Sequence, residues 1–143
     1  MDMRQITPHF YAAPQIGPED MAEIVAAGIK LVLCNRPDGE VPPSHQCAAI
    51  QAAAEAAGLE FAVQPLTHQT MTAEVIAANR ALMDRCEGPV LAYCASGTRS
   101  TIAWALAAAR DMPADDIIKA ARAGGYDLTH LGPTLVAVAQ MAR

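Results

Sequence analysis

The chain has 143 residues, 52% apolar and 17% charged, with a formal net charge of −5. That length holds one packed core and is too short for two, so a single domain over residues 1–143 is expected. An acidic balance without any Lys/Arg cluster excludes the electrostatic footprint of a nucleic-acid or anionic-membrane binder, and the longest near-apolar run, Thr101 to Ala109, is about half a membrane span.

The first eight residues show no basic start followed by an apolar run, so no secretory signal is expected and the cytoplasm is the default compartment. Phe10 to Ile16 reads as a strand interrupted by Pro14, and proline, which cannot donate to a ladder, assigns it to a sheet edge. Pro18 to Ala27 then reads as a helix with proline in its first turn, stopped by Gly28. The apolar run Ile29 to Asn35 follows as a strand, and a polar loop, Arg36 to Pro43, leaves its C-terminal end. His45 to Ala57 is the next helix, stopped by Gly58 before the strand Leu59 to Leu66. Thr72 is a suitable N-cap for a helix over Thr72 to Cys86, with Gly88 as its stop before the strand Pro89 to Cys94. Arg99 to Arg110, Ala114 to Ala123 and Leu131 to Ala142 read as three helices in a tail. Strands that recur about every thirty residues with helices between them are the signature of crossover units. The expected fold is α/β, a small, mostly parallel sheet of four or five strands flanked by helices.

The stretch with chemical content is Tyr93-Cys94-Ala95-Ser96-Gly97-Thr98-Arg99-Ser100, which joins an apolar strand directly to an apolar helix. A cysteine at that junction sits at the carboxyl edge of the sheet and at a helix N-terminus, where backbone N–H groups converge. Ala95, Ser96, Gly97 and Thr98 are therefore expected to form an anion cradle, with Gly97 supplying the backbone freedom of a tight loop. The helix dipole and Arg99 favour a thiolate, making Cys94 a candidate nucleophile. Arg99 has the planar fork that holds two oxygens of an anion, and Ser100 is placed to donate to the sulfur. Read from these residues alone, Cys94 also fits a small buried hydrophobe at a strand end.

These blocks resemble a known family, the β-lactamase-hydrolase-like protein phosphatase-like domain, a bacterial relative of the dual-specificity phosphatases. The resemblance runs from about Ile6 to about Ala109. It rests on Gly28-Ile29-Lys30 leading into Asn35-Arg36-Pro37-Asp38-Gly39-Glu40, on Ala56-Ala57-Gly58-Leu59-Glu60-Phe61, and on Gly88-Pro89-Val90-Leu91-Ala92-Tyr93-Cys94 followed by Ser96-Gly97-Thr98-Arg99-Ser100. It implies a protein-tyrosine-phosphatase type of fold with Cys94 as nucleophile and Arg99 as the anion-binding arginine. The sequence departs from the standard phosphatase signature in three places. Only four residues, Ala95 to Thr98, separate cysteine from arginine, one fewer than usual and similar to the spelling of single-domain rhodaneses. Tyr93 stands where a histidine is usual. The loop Thr67-His68-Gln69-Thr70-Met71 lacks the aspartate that protonates the leaving group.

His68 is the residue best placed to replace that acid, since it follows a strand on the same sheet edge and an imidazole can carry a proton to a leaving group. Arg36 is a candidate second anion contact, and Asp38 a candidate acid or a loop-capping group. Cys34 ends the strand that neighbours the Cys94 strand in the phosphatase fold, and is a candidate resolving thiol or persulfide acceptor for Cys94. Cys47 and Cys86 fall on helices as core or surface thiols. No two cysteines or histidines show the close spacing of a metal site, and no cofactor is expected. The expected partner is a small anionic substrate or a phosphoprotein, or else a sulfur donor and acceptor. The readings are thus a cysteine-dependent hydrolase of phosphate monoesters, a rhodanese-type sulfurtransferase carrying a persulfide on Cys94, or an anion-binding domain without chemistry.

Overall fold

The computed structural model describes residues 1–142. Its first elements are a two-residue strand, β1 (Arg4–Gln5), and β2 (Phe10–Ala13), joined by a turn in which Thr7 Oγ1 accepts from the N–H groups of His9 and Phe10. Then come α1 (Met21–Ala26), β3 (Leu31–Cys34), α2 (Cys47–Ala56), β4 (Glu60–Val63), α3 (Ala73–Asp84), β5 (Val90–Tyr93), α4 (Thr98–Ala108), α5 (Ala114–Ala123) and α6 (Gly132–Met141). The five strands stand in the order β1-β2-β5-β3-β4, with β1 antiparallel to β2 and the other pairs parallel. This is the expected α/β class with a mostly parallel five-stranded sheet flanked by helices.

Period-two alternation sends the strand side chains to two faces. Leu31, Leu33, Val90, Ala92, Phe10 and Ala12 pack with Trp104, Ile117 and Leu135, whereas Val32, Cys34, Leu91, Tyr93 and Ala13 pack with Ile24, Ile50 and Ala54. Helices α1 and α2 therefore cover one face and α4 to α6 the other. The three C-terminal helices are no tail, since Ile117, Leu128 and Leu135 are fully buried in the first cluster. The Phe10 and Trp104 rings stack with centroids 5.5 Å apart.

Two expectations are corrected here. The Phe10 strand is interior, lying between β1 and β5, because its ladder ends at Ala13 and Pro14 removes no donor from it. The edge belongs instead to β1, too short to leave a sequence pattern. Gly28 and Gly58 do terminate helices with positive φ, and Ile29 and Leu59 return their N–H groups to Ile24 and Ala54. Gly88 has a different task. Helix α3 has already ended at Asp84, and any Cβ at Gly88 would overlap Lys30 Cγ, so the glycine permits close approach of two segments. Cys86 accordingly lies beyond the helix, buried, and Cys47 is the first residue of α2.

Candidate active site

Strand β5 delivers Cys94 to the carboxyl edge of the sheet, where its N–H donates to Ala13 O at 3.4 Å. The next turn begins α4. Gly97 adopts φ +94°, its N–H donates to Cys94 Sγ at 3.1 Å, and its carbonyl accepts from Thr101 N and Thr101 Oγ1. A left-handed residue at this helix entry is what folds the chain back so that a backbone N–H faces the sulfur. Cys94 has no exposed surface, while Ala95 and Ser96 lie on the outside. The cradle is narrower than expected: the Thr98 N–H is taken by Ser96 Oγ at 3.3 Å, so it caps the helix and does not serve the sulfur.

The guanidinium of Arg99, five residues after Cys94, is held by two other segments. Nη1 donates to Glu40 Oε2 at 2.9 Å and to Leu66 O at 2.8 Å, and Nη2 donates to Glu40 Oε1 at 2.7 Å. Arg36 closes on the same carboxylate through Nε at 3.3 Å and reaches Gln15 Oε1 through Nη1. The Arg99 hydrogen bonds, before the Arg36 charge, hold the Glu40 carboxyl below the usual carboxylate range. In return Glu40, and after it the Cys94 sulfur, raise Arg99 further while burial opposes them. Glu40 was not among the candidate residues. It belongs to the Asn35-to-Glu40 block, but nothing in the spacing shows that it spans to an arginine 59 positions away.

Several predicted residues do other work. Ser100 is buried and donates to Asn35 Oδ1 at 2.8 Å; Asn35 Nδ2 donates in turn to Asn79 Oδ1 and Gln64 O. Its one hydroxyl proton is thus committed to a buried chain of amides. Asp38 is a capping group: its Oδ1 accepts the Cys47 N–H at 2.8 Å, at the start of α2 where helix N–H groups lack partners. His68 is exposed on a turn closed by Thr67 and Thr70 and makes no hydrogen bond among the described residues. It lies two residues beyond the Leu66 carbonyl that receives Arg99.

The expected pairing of Cys34 with Cys94 is corrected by parity. Cys34 registers with Tyr93, so these two share a face, and Cys94, one residue on, belongs to the other. The thiol that Cys34 meets is Cys47, with sulfurs 2.6 Å apart. Tyr93 points to that face too, and its buried hydroxyl has no hydrogen-bond partner among the described residues. Tyr126, from the segment after α5, completes the site: its hydroxyl donates to Ser96 O at 3.2 Å, and a Cβ on Gly97 would overlap it. Among the described residues no group of three His, Cys, Asp or Glu side chains is arranged to hold a metal ion.

The chain belongs to the family of beta-lactamase hydrolase-like protein, phosphatase-like domains, which it matches over residues 2–111. It is 34% identical over 111 residues to the beta-lactamase hydrolase-like protein of Agrobacterium fabrum, covering 76% of this chain and 26% of that one. The chain thus spans about a quarter of the curated relatives it matches. Among solved structures, a candidate phosphatase of Neisseria meningitidis is 36% identical, with a TM-score of 0.85 over 96% of this chain and 99% of that one. A fold-level likeness extends to Pseudomonas aeruginosa TpbA in complex with phosphotyrosine, at 13% identity and a TM-score of 0.62, covering 99% of this chain and 90% of that one. The family and these folds support a phosphatase-like function.

Proposed function

We propose that the protein hydrolyses phosphate monoesters through Cys94. The observation that carries this reading is the Gly97 N–H donating to the Cys94 sulfur at 3.1 Å, where a strand hands over to the helix whose second residue is Arg99. A donor census of Arg99 supports it. Of the five N–H groups of a guanidinium, Glu40 and Leu66 O take both on Nη1 and one on Nη2. The Nε–H and the second Nη2–H remain, and they form one edge of the fork, the bidentate geometry that matches two oxygens of a phosphate. Glu40 in this reading is a positioning residue that turns the free edge toward the cysteine loop, and Arg36 steadies Glu40.

Cys94 as thiolate attacks phosphorus, the ester oxygen leaves with a proton, and water then cleaves the phosphocysteine to release phosphate. Arg99 neutralises the oxygens of the transferring group in both steps. His68 is the candidate for leaving-group protonation, Asp38 being occupied at the start of α2. A small aryl phosphate or the phosphotyrosine of a protein fits these donors, the ligand class of the TpbA complex.

A specific observation favours sulfur transfer as the second reading. The hydroxyl expected to assist the sulfur as a leaving group, on Ser100, is committed to Asn35, and the loop has only four residues between Cys94 and Arg99. A persulfide on Cys94 needs neither that hydroxyl nor an acid for an alkoxide. Wild type and Cys94→Ser are to be assayed side by side on an aryl phosphate and on thiosulfate with cyanide. Phosphate release that falls to background in Cys94→Ser is expected. Thiocyanate formation that depends on Cys94, without phosphate release, would replace the first reading by the second.

A further inference from the structure

We infer that Cys34 and Cys47 are a modification site, a thiol pair that oxidises to a disulfide and closes the loop carrying Glu40. The inference holds whichever chemistry Cys94 performs. Cys34 is the last residue of β3 and Cys47 the first of α2. Their sulfurs are 2.6 Å apart, inside van der Waals contact and about 0.6 Å beyond a disulfide bond. Both thiols turn to one acceptor, Arg36 O, at 3.4 Å and 3.9 Å. The approach does not depend on the sulfurs themselves, because Asp38 Oδ1 already fixes the Cys47 N–H and sheet register fixes Cys34. The pair is also separate from the nucleophile, which sits on the other side of the strand alternation.

Access is asymmetric: Cys34 is 1% exposed, whereas Cys47 is only partly covered. The oxidant is a small disulfide such as glutathione disulfide. Cys47 as thiolate attacks one of its sulfurs and expels the first glutathione thiolate. Cys34 as thiolate then attacks the Cys47 sulfur of the mixed disulfide and expels the second. The pair loses two protons and two electrons, and the oxidant is reduced to two thiols. Burial, and then the Cys34 sulfur, push the Cys47 thiol well above its ordinary range, so the first step quickens as pH rises. The new bond joins the two ends of the 35–46 loop, which contains Arg36 and Asp38 together with the Glu40 that grips Arg99.

The sequence supplies the assay. Cleavage after glutamate puts the four cysteines on four separate peptides, with Cys34 and Cys47 divided at Glu40 and Glu55 bounding the second. The full chain is equilibrated at pH 8 with glutathione buffers of increasing disulfide content, blocked with N-ethylmaleimide, digested and mapped. The Cys34 and Cys47 peptides are expected joined, separating on reduction, with Cys94 unlinked to either. The oxidised wild type should melt roughly 5–10 °C higher than the reduced form, as expected for a bond closing a loop of this length. Cys47→Ser should show no such rise. Full alkylation of both cysteines at the most oxidising ratio, or recovery of Cys34 linked to Cys94, would overturn the pair. A joined pair without a rise in Tm would overturn the closure of the loop. The wild-type map decides the pairing even if Cys47→Ser fails to fold.

Discussion

Replacing Gly97 by alanine tests how the cysteine loop is held. The residue sits at φ +94°, where a Cβ costs about 1–2 kcal/mol by collision with its own backbone. The new methyl would also overlap Tyr126 Oη and lie 2.8 Å from Cζ, so the ring has to withdraw and its hydrogen bond to Ser96 O is lost. That bond contributes about 1 kcal/mol at this half-buried position. The sum is about 2–3 kcal/mol, or roughly 6–12 °C in Tm for a chain of this size. Urea denaturation of wild type, Gly97→Ala, Tyr126→Phe and the double variant separates the two contributions. Tyr126→Phe alone should cost about 1 kcal/mol. In its background Gly97→Ala should cost about 1 kcal/mol less than in wild type, because the bond is already gone and the hydroxyl overlap is removed. A cost below about 0.5 kcal/mol for Gly97→Ala, or the same cost in both backgrounds, would refute the account of the loop.

Ser100→Ala leaves the buried Asn35 Oδ1 without its donor and should cost about 1–3 kcal/mol by denaturation; a change under about 0.5 kcal/mol would mean that the amide chain is not tight. Tyr93→Phe removes a buried hydroxyl that has no partner, so it should leave stability unchanged or raise it by up to about 1 kcal/mol, and a clear loss would reveal a bond to the neighbouring Cys34 thiol. Glu40→Gln should lower kcat/KM about 5–10-fold by loosening Arg99, the equivalent of about 1 kcal/mol for a partly exposed pair. The sign with pH follows from the lowered Glu40 carboxyl, whose main cause is Arg99. The ion pair contributes fully above the ordinary carboxylate range and is lost as pH falls through the lowered value, so the gap between wild type and Glu40→Gln stays flat above about pH 5 and closes only in stronger acid. A gap that opened near neutrality would point to a different titrating group.

The strands were legible wherever an apolar run was bounded by glycine: at Ile29 because a buried parallel strand leaves no alternation to misread, and at Leu59 because the glycine marks the start even of the half-exposed edge strand β4. The cysteine loop was legible because only the four residues Cys94 to Gly97 separate an apolar strand from an apolar helix. What the chain hides is any pairing across long sequence separations. Glu40 meets Arg99, Tyr126 meets Ser96 and Asn35 meets Asn79 only after the sheet has ordered its strands. A two-residue strand such as β1 carries no periodicity at all. The Cys34 pairing is no different. Parity turns Cys34 to the Tyr93 side only once the register of the two strands is known, and that register is set by the folded sheet.

The family match stops at residue 111, yet Ile117, Leu128 and Leu135 fill the sheet's second face, and Tyr126 reaches back to the loop. A chimera that grafted only the matched portion onto another protein would uncover the part of that face that lies beyond α4 and leave the loop without its outer brace. Any transplant of this unit should therefore carry the segment through Met141, the last residue of the closing helix.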